Sequence, residues 1–379
     1  VNQLLAECAR TAIDPGKSHQ RLAQLSNNVT DWTGVLAEAE SHGLSPLLYI
    51  HLKAADVSLP LPVKRDLQGL YLRYRHANRV RGQLLVEILA AYEAAGIQAL
   101  VIKGAALAHG FYPEPGLRPM SDVDLLVKRT DAYRAQELLT ELGFQAPLPP
   151  ADRLPGKHLL AAIRSVEGLT VSVELHHNLF NIGTRASLEL NGLSGPPIPF
   201  ALEGVTAYTL PHEEMLWHLC QHLTLIGQPF RLIWLVDIVG LAERYASEID
   251  WARVERDYSL VLSALSLFHY ITPLSETLRR TAPLNIGRAP QGIGQEFVGW
   301  PHHSIRRQRT TGKGYGRIFR DTFFPAEWWL RLYYGLGGAR PLCWYRWVVH
   351  PLQVLIWGGQ LVLERTGWRK PRHKLRTGV

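Results

Sequence analysis

Asp122 and Asp124 stand one residue apart in Ser121-Asp122-Val123-Asp124-Leu125-Leu126-Val127. The apolar run after them reads as a buried strand. Side chains alternate along a strand, so both carboxylates point to the same face, about 7 Å apart along the chain. That spacing suits hard divalent cations such as Mg²⁺ or Mn²⁺. Alone, an Asp-x-Asp pair fits a solvated strand end, and its neighbours turn the reading toward a site. Leu100-Val101-Ile102-Lys103-Gly104 is a second apolar strand ending in a lysine and a glycine, followed by a short helical run, Ala105 to Phe111. A glycine there lets a phosphate approach the backbone, where the N–H groups of a helix start favour anions. Arg118 adds a permanent charge able to bind phosphate through two N–H groups. Glu174, in the alternating segment Leu169 to His176, becomes a third acid if its strand lies beside the first. Three acids, a glycine turn and two cations form a two-metal phosphoryl-transfer site.

Other polar residues have plainer readings. His176 shares the Glu174 face of its strand and is a candidate contact for metal-bound phosphate or an acceptor, whereas His177 points the other way. His218 and His222 lie four apart on a helix, but Zn²⁺ needs three or four ligands and no third is evident, so a packed pair is expected. Asp237 sits in the apolar helical run Leu232 to Val239, where burial without a partner is costly. A base such as Arg231 is its expected partner. No Gly-x-Ser-x-Gly, Walker-type or Gly-x-Gly-x-x-Gly motif is present, against hydrolase, P-loop and Rossmann readings.

The elements that must position these residues run helical, then α/β, then helical. Asp31 caps a helix through Glu40, and Val63 to Ala95 carries apolar residues at three- and four-residue spacing. Strand patterns fall at Ala99–Ile102, Val123–Val127, Leu159–Ser165 and Leu169–His176. A helix from Asp131 to Leu142, stopped by Gly143, separates the second from the third. Glu167-Gly168 suits a hairpin turn between the last two. Pro147, Pro149, Pro150 and Pro155 mark a loop at the rim of the site. Pro211-His-Glu-Glu opens another helix, and 290–316 reads as irregular and basic. The expected division is a helical region at 1–95, a catalytic core at 96–210, a helical domain at 211–290 and a C-terminal region at 291–379.

The chain of 379 residues is 46% hydrophobic, enough to bury a sizeable core. Its three cysteines, Cys8, Cys220 and Cys343, are far apart and form no disulfide framework, which favours a reducing cytoplasm. Residues 1–14 lack the basic and apolar pattern of a signal peptide. The net charge of +8 hides an asymmetry: 301–379 carries 15 Lys/Arg against three acids, and the first 300 residues carry 26 against 30. Six of the 11 tryptophans also lie in 301–379. Basic residues mixed with tryptophans suit an anionic surface, so peripheral membrane contact is expected there. The competing expectation is that the tryptophans pack into the fold. The run Trp347 to Leu363 is too short and polar to read as a bilayer span.

The ordered set of motifs resembles the nucleotidyltransferase superfamily that includes DNA polymerase beta and the small antibiotic-modifying nucleotidyltransferases. It is most similar to a group of bacterial proteins described as uncharacterised nucleotidyltransferases, of the fifth NTP-transferase type. The resemblance takes in Asp31-Trp32, Gly43 to Tyr49, Gly96 to Gly104, Arg118, Ser121 to Leu126, Val173-Glu174-Leu175-His176, Leu235-Val236-Asp237-Ile238, Asp250-Trp251 and Phe324-Pro325. It implies an α+β fold in which a polymerase beta-like core, a mixed sheet with flanking helices, is set between helical regions. It also implies metal-dependent transfer of a nucleoside monophosphate from an NTP to an acceptor, with release of pyrophosphate. Asp122 and Asp124 would hold both ions, and Glu174 the ion that activates the acceptor. Lys103, Gly104 and Arg118 would steady the triphosphate, with Ser121 and His176 beside them. The acceptor, a small molecule, peptide or saccharide, is not legible.

Two departures stand out. Ala105 follows Gly104 where the superfamily usually has a phosphate-contacting serine, and Glu174 replaces the more familiar aspartate. They keep open a catalytically weak nucleotide-binding or scaffold protein. A nucleotide-sugar transferase shares the Asp-x-Asp chemistry but leaves the Lys-Gly turn and the third acid unexplained.

Overall fold

Leu100, Val101 and Ile102 are followed by Lys103, and the strand they build stops there. In the computed structural model, which describes residues 2–11, 17–150, 154, 156–180, 187–224, 230–337 and 341–365, this strand is β1 (Ala99–Ile102). β2 (Asp122–Val127), β3 (Ala162–Val166) and β4 (Leu169–His176) complete a mixed sheet in the order β1-β2-β4-β3. β1 and β2 are antiparallel, β2 and β4 parallel, and β3 and β4 antiparallel. The expected Glu167-Gly168 turn joins the last two, with both residues at positive φ (48° and 75°), as a two-residue hairpin turn requires. β3 begins later than its apolar run suggested. Leu159 instead donates its N–H to the Leu175 carbonyl (2.9 Å).

The register decides which side chains meet. Asp122 pairs with Ser172, Asp124 with Glu174 and Leu126 with His176, so these six residues share one face. Val123, Leu125, Val127, Val171, Val173 and Leu175 line the other and are buried. Each such side chain contributes on the order of 1.5–3 kcal/mol. Val80 and Leu84, from the long helix Leu61–Ala94, pack on Val171. Helix Ala132–Glu141 lies beside the long helix, where the Tyr92 hydroxyl donates to the Ala135 carbonyl (3.1 Å). Gly143 (φ 81°) ends that helix, as its sequence predicts. A slip of one residue in β4 would turn Glu174 toward this apolar layer and Val173 toward the acids.

The sequence reading placed no strands between His177 and Leu210, and the structure has two, β5 (Ile198–Leu202) and β6 (Val205–Thr209). They form an antiparallel hairpin tied to β1 by the Thr209 hydroxyl, which donates to the Val101 carbonyl (2.7 Å). Both are short and half-exposed, and β5 carries Pro199, so the alternation that marks a strand is weak in them. In the stretch read as irregular, Ile305–Thr310 is a helix capped by Ser304 Oγ, which accepts from the Arg307 N–H (3.2 Å).

The chain divides into two compact units, Asn2–His218 with Leu235–Leu241, and Leu219–Trp234 with Ala242–Val379. The first holds both sheets. The second is helical among its described residues, and four of its tryptophans show two different environments. Trp328 is fully buried against Phe230, and Trp329 stacks on Phe297 and Tyr333. Trp344 and Trp347 are 57% and 64% exposed. Pro155 of the expected rim loop, and Trp368 with the basic residues after 365, lie outside the described residues.

Candidate active site

Asp124 is at the centre. The pairing of β2 with β4 sets it beside Glu174, and the end of β1 delivers Lys103 from the other side. Its Oδ1 accepts from Lys103 Nζ (2.5 Å) and lies 2.8 Å from His176 Nε2. Burial alone would raise this carboxyl, but Lys103 and His176 hold it well below the usual carboxylate range. Asp122, on the same face, lacks such partners. Burial and the neighbouring Asp124 charge push its carboxyl up, although the Ser121 hydroxyl donates to it (3.2 Å). Glu174 is lowered, first by His176, whose Nε2 lies 3.6 Å from its Oε2. Burial alone would lower the Lys103 ammonium, and the Asp124 charge outweighs it, so the lysine is held charged.

Asp124, Glu174 and His176 each offer a ligand atom, and these atoms lie within 4.8 Å of one another. Two carboxylate oxygens and one imidazole nitrogen fit a divalent cation, and among the described residues this is the one such group. Asp122 borders it, and its charge acts on Lys103. The imidazole is fully buried, with Nδ1 unpartnered and Nε2 turned toward the acids.

The turn at Lys103 and Gly104 is built differently from the sequence expectation. Lys103, rather than the glycine, occupies the left-handed region (φ 52°), a conformation costing a non-glycine residue about 1–3 kcal/mol. Gly104 has a steric requirement of its own, since a Cβ there would run into Arg118 Nη1. Arg118 is buried, and its guanidinium spans Asp237: Nη2 donates to Oδ2 (2.7 Å) and Nε to Oδ1 (3.3 Å). The Tyr112 hydroxyl also donates to Asp237 Oδ1 (2.8 Å). Asp237 therefore pairs with Arg118, not with the expected Arg231. The two are 119 residues apart in sequence, and nothing local announced the match. Asn78 of the long helix completes the foundation by donating to the Pro115 and Arg118 carbonyls (2.6 and 2.9 Å).

Three further residues bear on the site and escaped the sequence reading. Lys157 is lowered to about 8, by burial and then by the Lys103 charge. His158 packs its ring 5.1 Å from that of His176 and sets Nε2 3.9 Å from Glu174 Oε2. Arg81 is buried on the long helix, lowered by burial and held up by the Asp122 charge. Lys157 and His158 follow a proline-rich loop with no periodicity, and Arg81 looks like any helix-surface arginine. Neither context carries a signal. His218 packs edge-on to Phe180 (5.8 Å), and His222 edge-on to Trp234 (5.0 Å).

Residues 28–277 match the model of a family described as uncharacterised nucleotidyltransferase. No curated protein matches the chain. Among solved structures, ANT(2")-Ia in complex with adenylyl-2"-tobramycin is similar at 11% identity and a TM-score of 0.32, covering 50% of this chain and 98% of that one. An antigenic nucleotidyltransferase-like protein from Paracoccidioides brasiliensis is similar at 16% identity and a TM-score of 0.28, covering 55% and 96%. At these scores the likeness is remote.

Proposed function

The chain belongs to the uncharacterised nucleotidyltransferase family, and from that premise we propose that it transfers a nucleoside monophosphate from an NTP to an acceptor hydroxyl in a metal-dependent reaction. The observation that carries this reading is the β2–β4 register, which sets Asp124 beside Glu174 with His176 turned in. Asp122, Asp124 and Glu174 would hold Mg²⁺ or Mn²⁺. A bound divalent ion supplies charge neutralisation at the phosphates and lowers the pKa of the attacking group. The acceptor oxygen bonds to the α-phosphorus, the bond to the β-phosphate breaks, pyrophosphate leaves and the acceptor proton passes to solvent.

The chain's own residues prepare that step. The backbone at Gly104 opens a helix toward the phosphates, with Arg118 beneath it and Ser121 at the rim. Lys103, held charged beside Asp124, would be a cation that meets the triphosphate. His176 stays against the acids and orients them. The acceptor is a small molecule, a peptide or a saccharide, and the compartment is the cytoplasm, a reading supported by three cysteines without a disulfide.

Pyrophosphate release from ATP in the presence of Mg²⁺ or Mn²⁺, followed across candidate acceptors, tests the reading. A second reading rests on the closeness of Lys103 to Asp124, which together with Ala105 suits a protein that binds nucleotide without turning it over. Calorimetric titration of ATP with Mg²⁺ separates the two: binding with no pyrophosphate release supports the second.

The basic C-terminal region adds peripheral membrane contact to the proposal. Support comes from Trp344 and Trp347, exposed beside Arg346, and from Phe319, exposed on a helix with Arg317 and Arg320. No helix among the described residues is long and apolar enough to cross a membrane. Flotation with anionic vesicles should retain the intact chain, weaken as salt rises, and fall several-fold for a Trp344→Ser, Trp347→Ser variant. Equal flotation of the two proteins would remove membrane contact from the proposal.

A further inference from the structure

Two arginines are buried among the described residues, Arg81 and Arg118, each 8% exposed. Their guanidinium groups are provided for very differently. Arg118 spends its charge on Asp237, bound through two nitrogens. Arg81, on the long helix, forms no ion pair among the described residues. Its hydrogen bond is a long one, from Nη1 to Asn78 Oδ1 (3.4 Å), and Nε is buried without a partner. Burying a charge without a partner is costly, and an orphaned donor of this kind calls for an acceptor. The helix fixes where that guanidinium stands. Asn78, one turn earlier, donates to the Arg118 carbonyl (2.9 Å), so a run of hydrogen bonds leads from Arg81 to the segment that ends in Ser121 and Asp122. Burial lowers the Arg81 guanidinium, and the Asp122 charge is the first to oppose it. Among the described residues Asp122 is also without an ion pair, its carboxylate receiving the Ser121 hydroxyl (3.2 Å). A cation and an acid that feel each other without touching suit a ligand that carries both signs. A magnesium polyphosphate does so, with its metal for the carboxylate and its phosphate oxygens for the guanidinium.

We propose that Arg81, and not Arg118, is the guanidinium that holds the terminal phosphates of the nucleotide and the pyrophosphate that leaves. The inference rests on the nucleotidyl-transfer reading and adds to it the residue that grips the leaving group. The sequence pattern points to Arg118 for that role, but Asp237 fills its fork. Arg81 keeps a planar fork of the shape that phosphate oxygens take. It keeps it at the Asp122 end of the acid row, two residues along β2 from the position opposite Glu174. The attacking and leaving oxygens of an in-line displacement lie on opposite sides of the phosphorus, so with the acceptor at Glu174 the leaving group falls toward Asp122.

The test titrates the full chain calorimetrically with ATP, pyrophosphate and AMP in the presence of Mg²⁺, and unfolds it in urea. Arg81→Met should lower the affinity for ATP and pyrophosphate about 10- to 100-fold, the scale of one or two charge-assisted hydrogen bonds, and leave that for AMP within about twofold. Its urea midpoint should hold or rise, because a buried unpaired charge has been removed. Arg81→Lys, which keeps the charge and loses the fork, should bind ATP with an affinity between those of the other two proteins. Unchanged ATP affinity in both variants, equal losses of ATP and AMP, or a lower urea midpoint for Arg81→Met overturns the proposal. Failure of both variants to fold overturns it as well, since that is the result a purely structural arginine gives. If the unaltered chain binds neither ATP nor pyrophosphate, the nucleotide reading falls and this inference with it. If it binds both and the variants match it, Arg81 alone loses its role.

Discussion

Two buried ion pairs lie close in this fold and are built to opposite plans. Arg118–Asp237 is closed: a planar fork meets both carboxylate oxygens, Tyr112 supplies a further donor, and Asp237 is fully buried. Lys103–Asp124 is open. A point charge and an imidazole share one oxygen, and Asp122 and Glu174 stand close by with negative charge to spare. A satisfied pair holds architecture in place, because removing either partner strands the other in low dielectric. An acid-rich pair has affinity left over, and a cation can claim it. The closed pair sits under Gly104 so that the open one can be held in position.

If that contrast is right, Asp122→Asn should remove transfer, by at least about 10²–10³-fold, the scale of losing one electrostatic stabiliser of a transition state. Its melting temperature should change little. Measured turnover near that of the unaltered enzyme would end the assignment of the open pair to catalysis. Asp237→Ala should do the reverse, costing about 3–5 kcal/mol in urea unfolding because the Arg118 charge is left buried alone. A cost under about 1 kcal/mol would mean that the closed pair is not structural.

Gly104→Ala probes the point where the pairs meet. The added methyl displaces Arg118 from beneath the turn, and about 1–3 kcal/mol of stability should go, as for overpacking elsewhere. The KM for NTP should rise with it, and wild-type values of both would show that the turn gives freely. Ser121→Ala should have the smallest effect: its hydroxyl is exposed and donates only to Asp122. Stability should stay within about 0.5 kcal/mol, with any change confined to the KM for NTP.

How much of this was legible follows the same division. β1 and β4 could be read from their apolar and alternating patterns, and the Glu167-Gly168 turn from its residue types, since each signal is local. The meeting of Asp124 with Glu174 needed only that two such strands be neighbours. The partner of Asp237 could not be read, because 119 residues intervene and every arginine carries the same charge. His158 was invisible for a related reason. Its place beside Glu174 depends on a bridge to β4, which leaves no pattern in the chain. The steric requirement at Gly104 was not legible, since its neighbour Arg118 is a contact of the folded state.

The parallel pairing of β2 with β4 also has a consequence in time. The β3–β4 hairpin can form early, because its strands are joined by two residues. Asp124 and His176 are 52 residues apart, and bringing them together requires the intervening helix and hairpin to dock first. The chain therefore reaches its most repulsive encounter, acid against acid, near the end of folding, when the surrounding packing already holds both strands. Divalent ions that bind only the assembled cluster should slow unfolding and leave the folding rate almost untouched.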